Sequence, residues 1–246
     1  YSPSKETDFP ARDFRLGNQA GRMLSMLAGA GMGALVFLIL IRRTNRTGAL
    51  LGALSVAFAP GLMVHSRFQT VDVTAAFWVV LSLYWMNLWA SDDGTDRHAV
   101  WMGLAAGLAA GTKYNAVLVL LAAAPLVVRE AQWRRFAMAA GACVLAFILT
   151  TPGILINTDA FFRDFKYEML HTSTGHGLVF AGTAPGSLYH LSNLITGYGG
   201  LLLIIGVGGL VWASRRKGEE GQKPAYWLWG AITFAVSQLA RPWAAE

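Results

Sequence analysis

The chain has 246 residues, of which 54% are hydrophobic and only 14% charged, with a mean hydropathy of +0.43. A soluble domain carries about 25% charged residues, so this chain cannot cover a globular surface with charge. A soluble enzyme and a disordered chain are excluded, and the single cysteine, Cys143, excludes a disulfide scaffold. The net charge of +6 is concentrated in short basic loops, the mark of the cytoplasmic side of a membrane protein. No nucleic-acid partner is expected.

Apolar stretches bounded by charges give the spans in chain order. Residues 1–21 are expected to be the end of an outer loop of a longer chain, because no signal segment or initiator methionine precedes them. Stretches 23–41, 47–66 (interrupted by Pro60) and 73–91 each approach the ~20 residues a membrane-crossing helix needs. The stretch 99–128 holds Lys113 at its middle. As one helix it would run about 45 Å and place a lysine at mid-bilayer, at a cost of several kcal/mol. As two short spans, each about 22 Å long, it puts Lys113 at a turn. Basic clusters choose between these. Arg42-Arg43-Thr44-Asn45-Arg46, Arg129 with Arg134-Arg135, and Arg215-Arg216-Lys217 fall on one side only if there are two spans. Three further spans follow: 136–157, 191–214 and 224–240. The predicted fold is an all-α polytopic membrane protein of about eight helices, a single domain over 1–246 that is incomplete at both ends. Both ends then lie outside.

The longest outer segment, 158–190, opens with an amphipathic pattern. Phe161, Phe162, Phe165 and Met169 share one helical face, with Arg163, Asp164, Lys166 and Glu168 elsewhere. Thr158 or Asp159 is the expected N-cap, and the helix is predicted to lie in the membrane interface. Trp101, Trp133, Trp212, Tyr226 and Trp227 near span ends fit aromatic belts.

Polar groups gather at the outer mouths of the spans. His65, Arg67 and Asp72 bracket one turn, Lys113 and Tyr114 mark the next, and His171, His176 and His190 lie in the long outer segment. Ionisable groups at membrane depth are costly and commonly face a cavity or a site. A plainer reading pairs Arg67 with Asp72 as a structural cap and lets Lys113 snorkel to headgroups. The outer histidines are plain loop residues on the same footing. They show no helical H-x3-H spacing, so no metal ligand is assigned. Arginine and lysine beside lipid suit a lipid-linked phosphate, which guanidinium grips bidentately, and a nearby carboxylate can take a proton from a hydroxyl acceptor.

Three segments carry a resemblance. His65-Ser66-Arg67-Phe68-Gln69-Thr70-Val71-Asp72 resembles the S-R-F-x-x-x-D segment of the protein O-mannosyltransferase superfamily, GT-C glycosyltransferases whose bacterial relatives form family 39. Gly103-Leu104-Ala105-Ala106-Gly107-Leu108-Ala109-Ala110-Gly111-Thr112-Lys113-Tyr114 is similar to that family's G-L-x-x-G-L-A-x-x-T-K-Y span. Thr151-Pro152, then Phe161-Phe162-Arg163-Asp164, Tyr167-Glu168 and Thr174-Gly175-His176, resemble the opening of its large outer loop.

The resemblance implies a glycosyltransferase that moves a sugar from a polyprenyl-phosphate donor to a hydroxyl of a lipid, glycan or protein. The reaction would take place on the extracytoplasmic face of the cell membrane. It implies donor-phosphate binding by Arg67, Lys113 and Tyr114, support from Asp72, and outer-loop contacts from His65 and His176. The family's catalytic acid is expected upstream of Tyr1, and Glu6, Asp8 and Asp13 match none of its motifs. No cofactor is assigned, with a divalent metal left open. The alternative is a transporter or flippase for a lipid-linked or small anionic substrate. Against it, the sequence shows no internal repeat, and its ionisable groups crowd one face.

Overall fold

The computed structural model describes residues 11–174, together with Ser192, Ile195, Thr196, Gly200, Ile204 and Gly208. The expected spans 191–214 and 224–240, the basic run Arg215-Arg216-Lys217, and Trp212, Tyr226 and Trp227 fall outside the continuously described chain. Among the described residues there is no strand. Nine α-helices are described there: α1 (Ala11–Leu40), α2 (Arg46–Ala57), α3 (Pro60–His65), α4 (Val71–Trp89), α5 (Asp96–Thr112), α6 (Ala124–Glu130), α7 (Trp133–Thr150), α8 (Gly153–Ile156) and α9 (Thr158–Thr174). A 3-10 segment, Tyr114–Ala123, runs directly into α6.

Among the described residues, three helices are long and apolar enough to cross a membrane: Arg15–Leu40 within α1, Val71–Trp89 and Trp133–Thr150. The other crossings are broken or unusual, for local reasons. Residues 47–66 do not form one helix. Pro60 has no N–H to donate and disfavours helical geometry before it, so Ala59 is extended (φ −60°, ψ 123°) and starts α3 afresh. Together α2 and α3 cover about 27 Å at 1.5 Å per residue.

The stretch around Lys113 folds as two segments. Lys113 is extended (φ −153°, ψ 115°) and ends α5. Beyond it the chain turns back: Met102 shares a core cluster with Ala122, Ala123 and Leu126, and Ala106 shares the next with Val119. These partners lie at mirrored distances from Lys113, which makes the pair an antiparallel hairpin with the lysine at its tip. The returning arm is longer than an α-helix of its length. Ten 3-10 residues at about 2.0 Å and seven α residues at about 1.5 Å reach roughly 30 Å, the thickness of the hydrocarbon core.

Small residues let the central helices approach closely. On α5, Gly103 and Gly107 face the backbone carbonyls of Ala139 and Cys143 on α7, and a Cβ at either position would collide with them. Gly111, one further step along, faces Thr150. This is the small-xxx-small packing of membrane helices, where dispersion at short range replaces a hydrophobic driving force. The core around it holds Met86, Trp89, Met102 and Leu126, all at most 1% exposed.

Polar contacts then separate two ends of the bundle. At one end, Arg43 grips Asn87 (2.6 and 3.0 Å), Asp96 takes Arg134 (2.7 Å) and Arg135 (3.0 Å), and Trp89 donates to Gln132. The loop after α1 and the start of α7 are thus on one side, as the basic clusters required; we call this the basic end. At the opposite end lie the turn 66–70, Lys113 and α9.

Several boundaries differ from the sequence expectation. Helix α1 continues through Arg22 and Arg15 to Ala11, because a charge ends an apolar stretch without ending a helix. Helix α7 stops at Thr150 rather than near residue 157, since Pro152 follows. The cap of α9 is Asn157, whose side chain accepts from the Ala160 N–H (3.3 Å), in place of Thr158 or Asp159. Trp101 and Trp133 are half-exposed or more, as a belt requires.

Candidate functional site

The site begins with a stripe of small residues on α1. Gly21, Ser25 and Gly29 recur every fourth residue on one face, and the turn 66–70 lies against them. Gly21 abuts the Gln69 side chain and Gly29 abuts Ser66. Between them buried Ser25 donates to the Thr70 carbonyl (3.3 Å) and accepts from the Thr70 N–H (3.4 Å). One turn away the Arg22 guanidinium donates to the Arg67 carbonyl (2.9 Å). The turn carrying Arg67 is therefore fixed by its backbone, and the Arg67 side chain is left for other work.

Thr70 then starts α4. Its hydroxyl accepts from the Asp72 N–H (3.2 Å) and donates to Asp72 Oδ2 (3.1 Å). A carboxylate in the first turn also meets the positive end of the helix dipole. Across the bundle, Lys113 Nζ donates to Asp72 Oδ1 at 2.6 Å. Two turns separated by 41 residues are thus joined by one ion pair.

Both partners are about half-exposed, Lys113 at 45% and Asp72 at 54%. Ion pairs of that kind contribute about 0–1 kcal/mol in water, so the pair is not what holds the bundle together. It orients the ammonium, which has three N–H donors and spends one on Asp72. Arg67 is exposed, and its guanidinium makes no hydrogen bond or ion pair among the described residues. His65 is exposed at the end of α3, within electrostatic reach of Asp72. The simple Arg67–Asp72 cap is not what forms, and Lys113 is held by a carboxylate rather than left to snorkel.

Tyr114 is placed differently from the other site residues. Its ring packs edge-on against Phe165 (5.2 Å), Phe147 (6.1 Å) and Phe161 (6.4 Å). Phe161 and Phe165 stack one helical turn apart on α9, so this cluster docks the amphipathic helix beside the Lys113 turn. Phe162, expected on the same face, is 55% exposed and touches only the edge of Phe161 among the ring contacts. His176 lies outside the described residues. Among the described residues no group of three or more histidine, cysteine, aspartate or glutamate side chains comes together.

Arg22, Ser25 and Thr70, which position the turn, stand out in no motif of the sequence. The four-residue spacing of Gly21, Ser25, Gly29 and Gly33 was the available signal.

Neither a curated protein nor a solved structure matches the chain significantly. A family model described as dolichyl-phosphate-mannose-protein mannosyltransferase matches residues 14–156, a range that contains the α1 stripe, Arg67, Asp72, Lys113 and Tyr114. The chain belongs to that family of polytopic, all-α, GT-C membrane glycosyltransferases.

Proposed function

We propose that the chain transfers a sugar from a polyprenyl-phosphate donor to a hydroxyl on a lipid, glycan or protein, working at the end opposite the basic clusters. That end faces the extracytoplasmic side of the cell membrane, as the placement of the arginines favours. The carrying observation is the Asp72–Lys113 pair, exposed at one end of the bundle, with an arginine of unspent donors five residues before Asp72 in the chain.

In the transfer, the acceptor oxygen bonds to the sugar's anomeric carbon as the bond from that carbon to the phosphate oxygen breaks. The acceptor proton passes to a base, and the polyprenyl phosphate departs with an added negative charge. Groups that meet this charge as it develops lower the barrier most. Arg67 offers a fork of donors to two phosphate oxygens, and Lys113 adds a point charge. Asp72 already accepts from Lys113 and Thr70, which makes it the support of the cation rather than the base. Tyr114 keeps its assignment next to the phosphate through its hydroxyl, while its ring holds α9. Outer-loop contacts from His65 and His176 complete the reading.

The test uses the full-length protein in proteoliposomes with a labelled polyprenyl-phosphate mannose and hydroxyl acceptors. Label in a new glycosidic bond is the expected result. Label that only redistributes across the bilayer, with no glycosidic product, would replace this reading with the transporter.

A further inference from the structure

The basic end carries a second concentration of unspent cationic donors, far from the transferase site. Arg43 is tied down: its Nε and one terminal nitrogen both donate to Oδ1 of Asn87, which is 1% exposed. Arg134 and Arg135 are satisfied by Asp96. Arg42, Arg46 and Arg97 are exposed and make no hydrogen bond or ion pair among the described residues.

The ties bring two of these free arginines, Arg42 and Arg97, together. Arg43 holds the loop after α1 against the last turns of α4, which places Arg42 there. His98 stacks on Trp85, two residues before Asn87 on the same helix (6.0 Å, 24°), which places neighbouring Arg97 there as well. Arg42, Arg97 and Arg135 all act electrostatically on His98, opposed by Asp93. Asp92 sits near Arg43 and has interactions of its own.

The stack continues outward from Trp85 to Trp101 (5.8 Å, 22°), which is 50% exposed. Indole rings at this depth sit at the headgroup level of a bilayer. Free guanidinium groups above an aromatic wall match a phosphate with acyl chains below it, and basic pockets between membrane helices bind anionic headgroups.

We propose that Arg42 and Arg97, over the His98–Trp85–Trp101 stack, form a binding site for the headgroup of an anionic phospholipid at the basic end of the bundle. The loop ties hold the arginines in place beforehand, so the lipid is retained rather than merely attracted. The site is independent of the transfer chemistry.

The experiment is thermal unfolding and native mass spectrometry of the full chain in a neutral detergent, with phosphatidylglycerol, phosphatidylcholine or inorganic phosphate added. Phosphatidylglycerol is expected to raise Tm and to remain bound in native spectra, while phosphatidylcholine and inorganic phosphate do neither. The double variant R42Q/R97Q should lose most of the retained phosphatidylglycerol, at least about tenfold in apparent affinity, and R15Q at the opposite end should behave as wild type. Trp101→Leu leaves the charges in place and should weaken retention severalfold. Equal retention by R42Q/R97Q and wild type would overturn the site, as would equal loss in R15Q. An equal Tm rise with inorganic phosphate would replace the lipid with a soluble anion.

Discussion

Lys113 and Asp72 are joined, but their roles separate on energetic grounds. A half-exposed ion pair is worth up to about 1 kcal/mol, whereas a hydrogen bond to a charged group contributes about 1.5–3 kcal/mol. Lys113→Ala should therefore lower kcat/KM for transfer by about 10- to 100-fold through loss of the proposed phosphate contact. Asp72→Asn, which only loosens the lysine, should lower it by no more than about fivefold. Steady-state kinetics on the two variants checks this order, and a larger loss in Asp72→Asn would make the carboxylate the base. The residue types and motif positions were legible in the sequence, but the partners were not. Arg67 is nearer to Asp72 in the chain than Lys113 is, yet the pair spans 41 residues and depends on how two turns meet. Tyr114 shows the same limit, since its ring contacts come from α7 and α9.

Helix breaks were more legible than helix lengths. Pro60 and Lys113 interrupt their segments for reasons that act locally, a missing N–H and a charge at mid-bilayer. The 3-10 winding of Tyr114–Ala123 left no trace in an apolar run without period, and α1 runs past its boundary charges. Packing between elements yields two predictions. Gly107→Leu on α5 forces a side chain into the backbone of Cys143; overpacking of this kind costs about 1–3 kcal/mol or more and should lower Tm in detergent. Phe165→Ala removes a ring contact from the cluster that docks α9, and amide exchange in α9 should accelerate with little change in the central helices.

Asp96 ties the start of α5 to the start of α7. It lies at the mouth of α5, outside the apolar stretch 99–112, and hydrogen bonds from Arg134 first and Arg135 second hold its carboxyl below the ordinary carboxylate range. A depressed folded pKa means that the pairing contributes fully above about pH 4 and is lost as pH falls below it. The difference in Tm between wild type and Asp96→Asn should therefore be present at neutral pH and vanish in acid.

Across the whole molecule, the basic clusters were the most informative sequence feature, because charge sorts by side whatever the helices do in between. Arg43, Arg134 and Arg135 do meet at one end, and Arg67, Asp72 and Lys113 lie at the other. Cys143 is the only cysteine and is buried, so an introduced cysteine reports on itself. A membrane-impermeant maleimide should label Phe68→Cys in intact cells, and Thr47→Cys only after permeabilisation. The reverse pattern would turn the bundle over.

The proposed role of Arg67 and Lys113 is to receive the phosphate of a polyprenyl-linked donor. Its most direct test is the rate of sugar transfer by full-length wild type, Arg67→Ala and Lys113→Ala in the same liposomes, at equal protein incorporation. Each variant is predicted to transfer at least about tenfold more slowly. Both transferring at the wild-type rate would contradict the assignment.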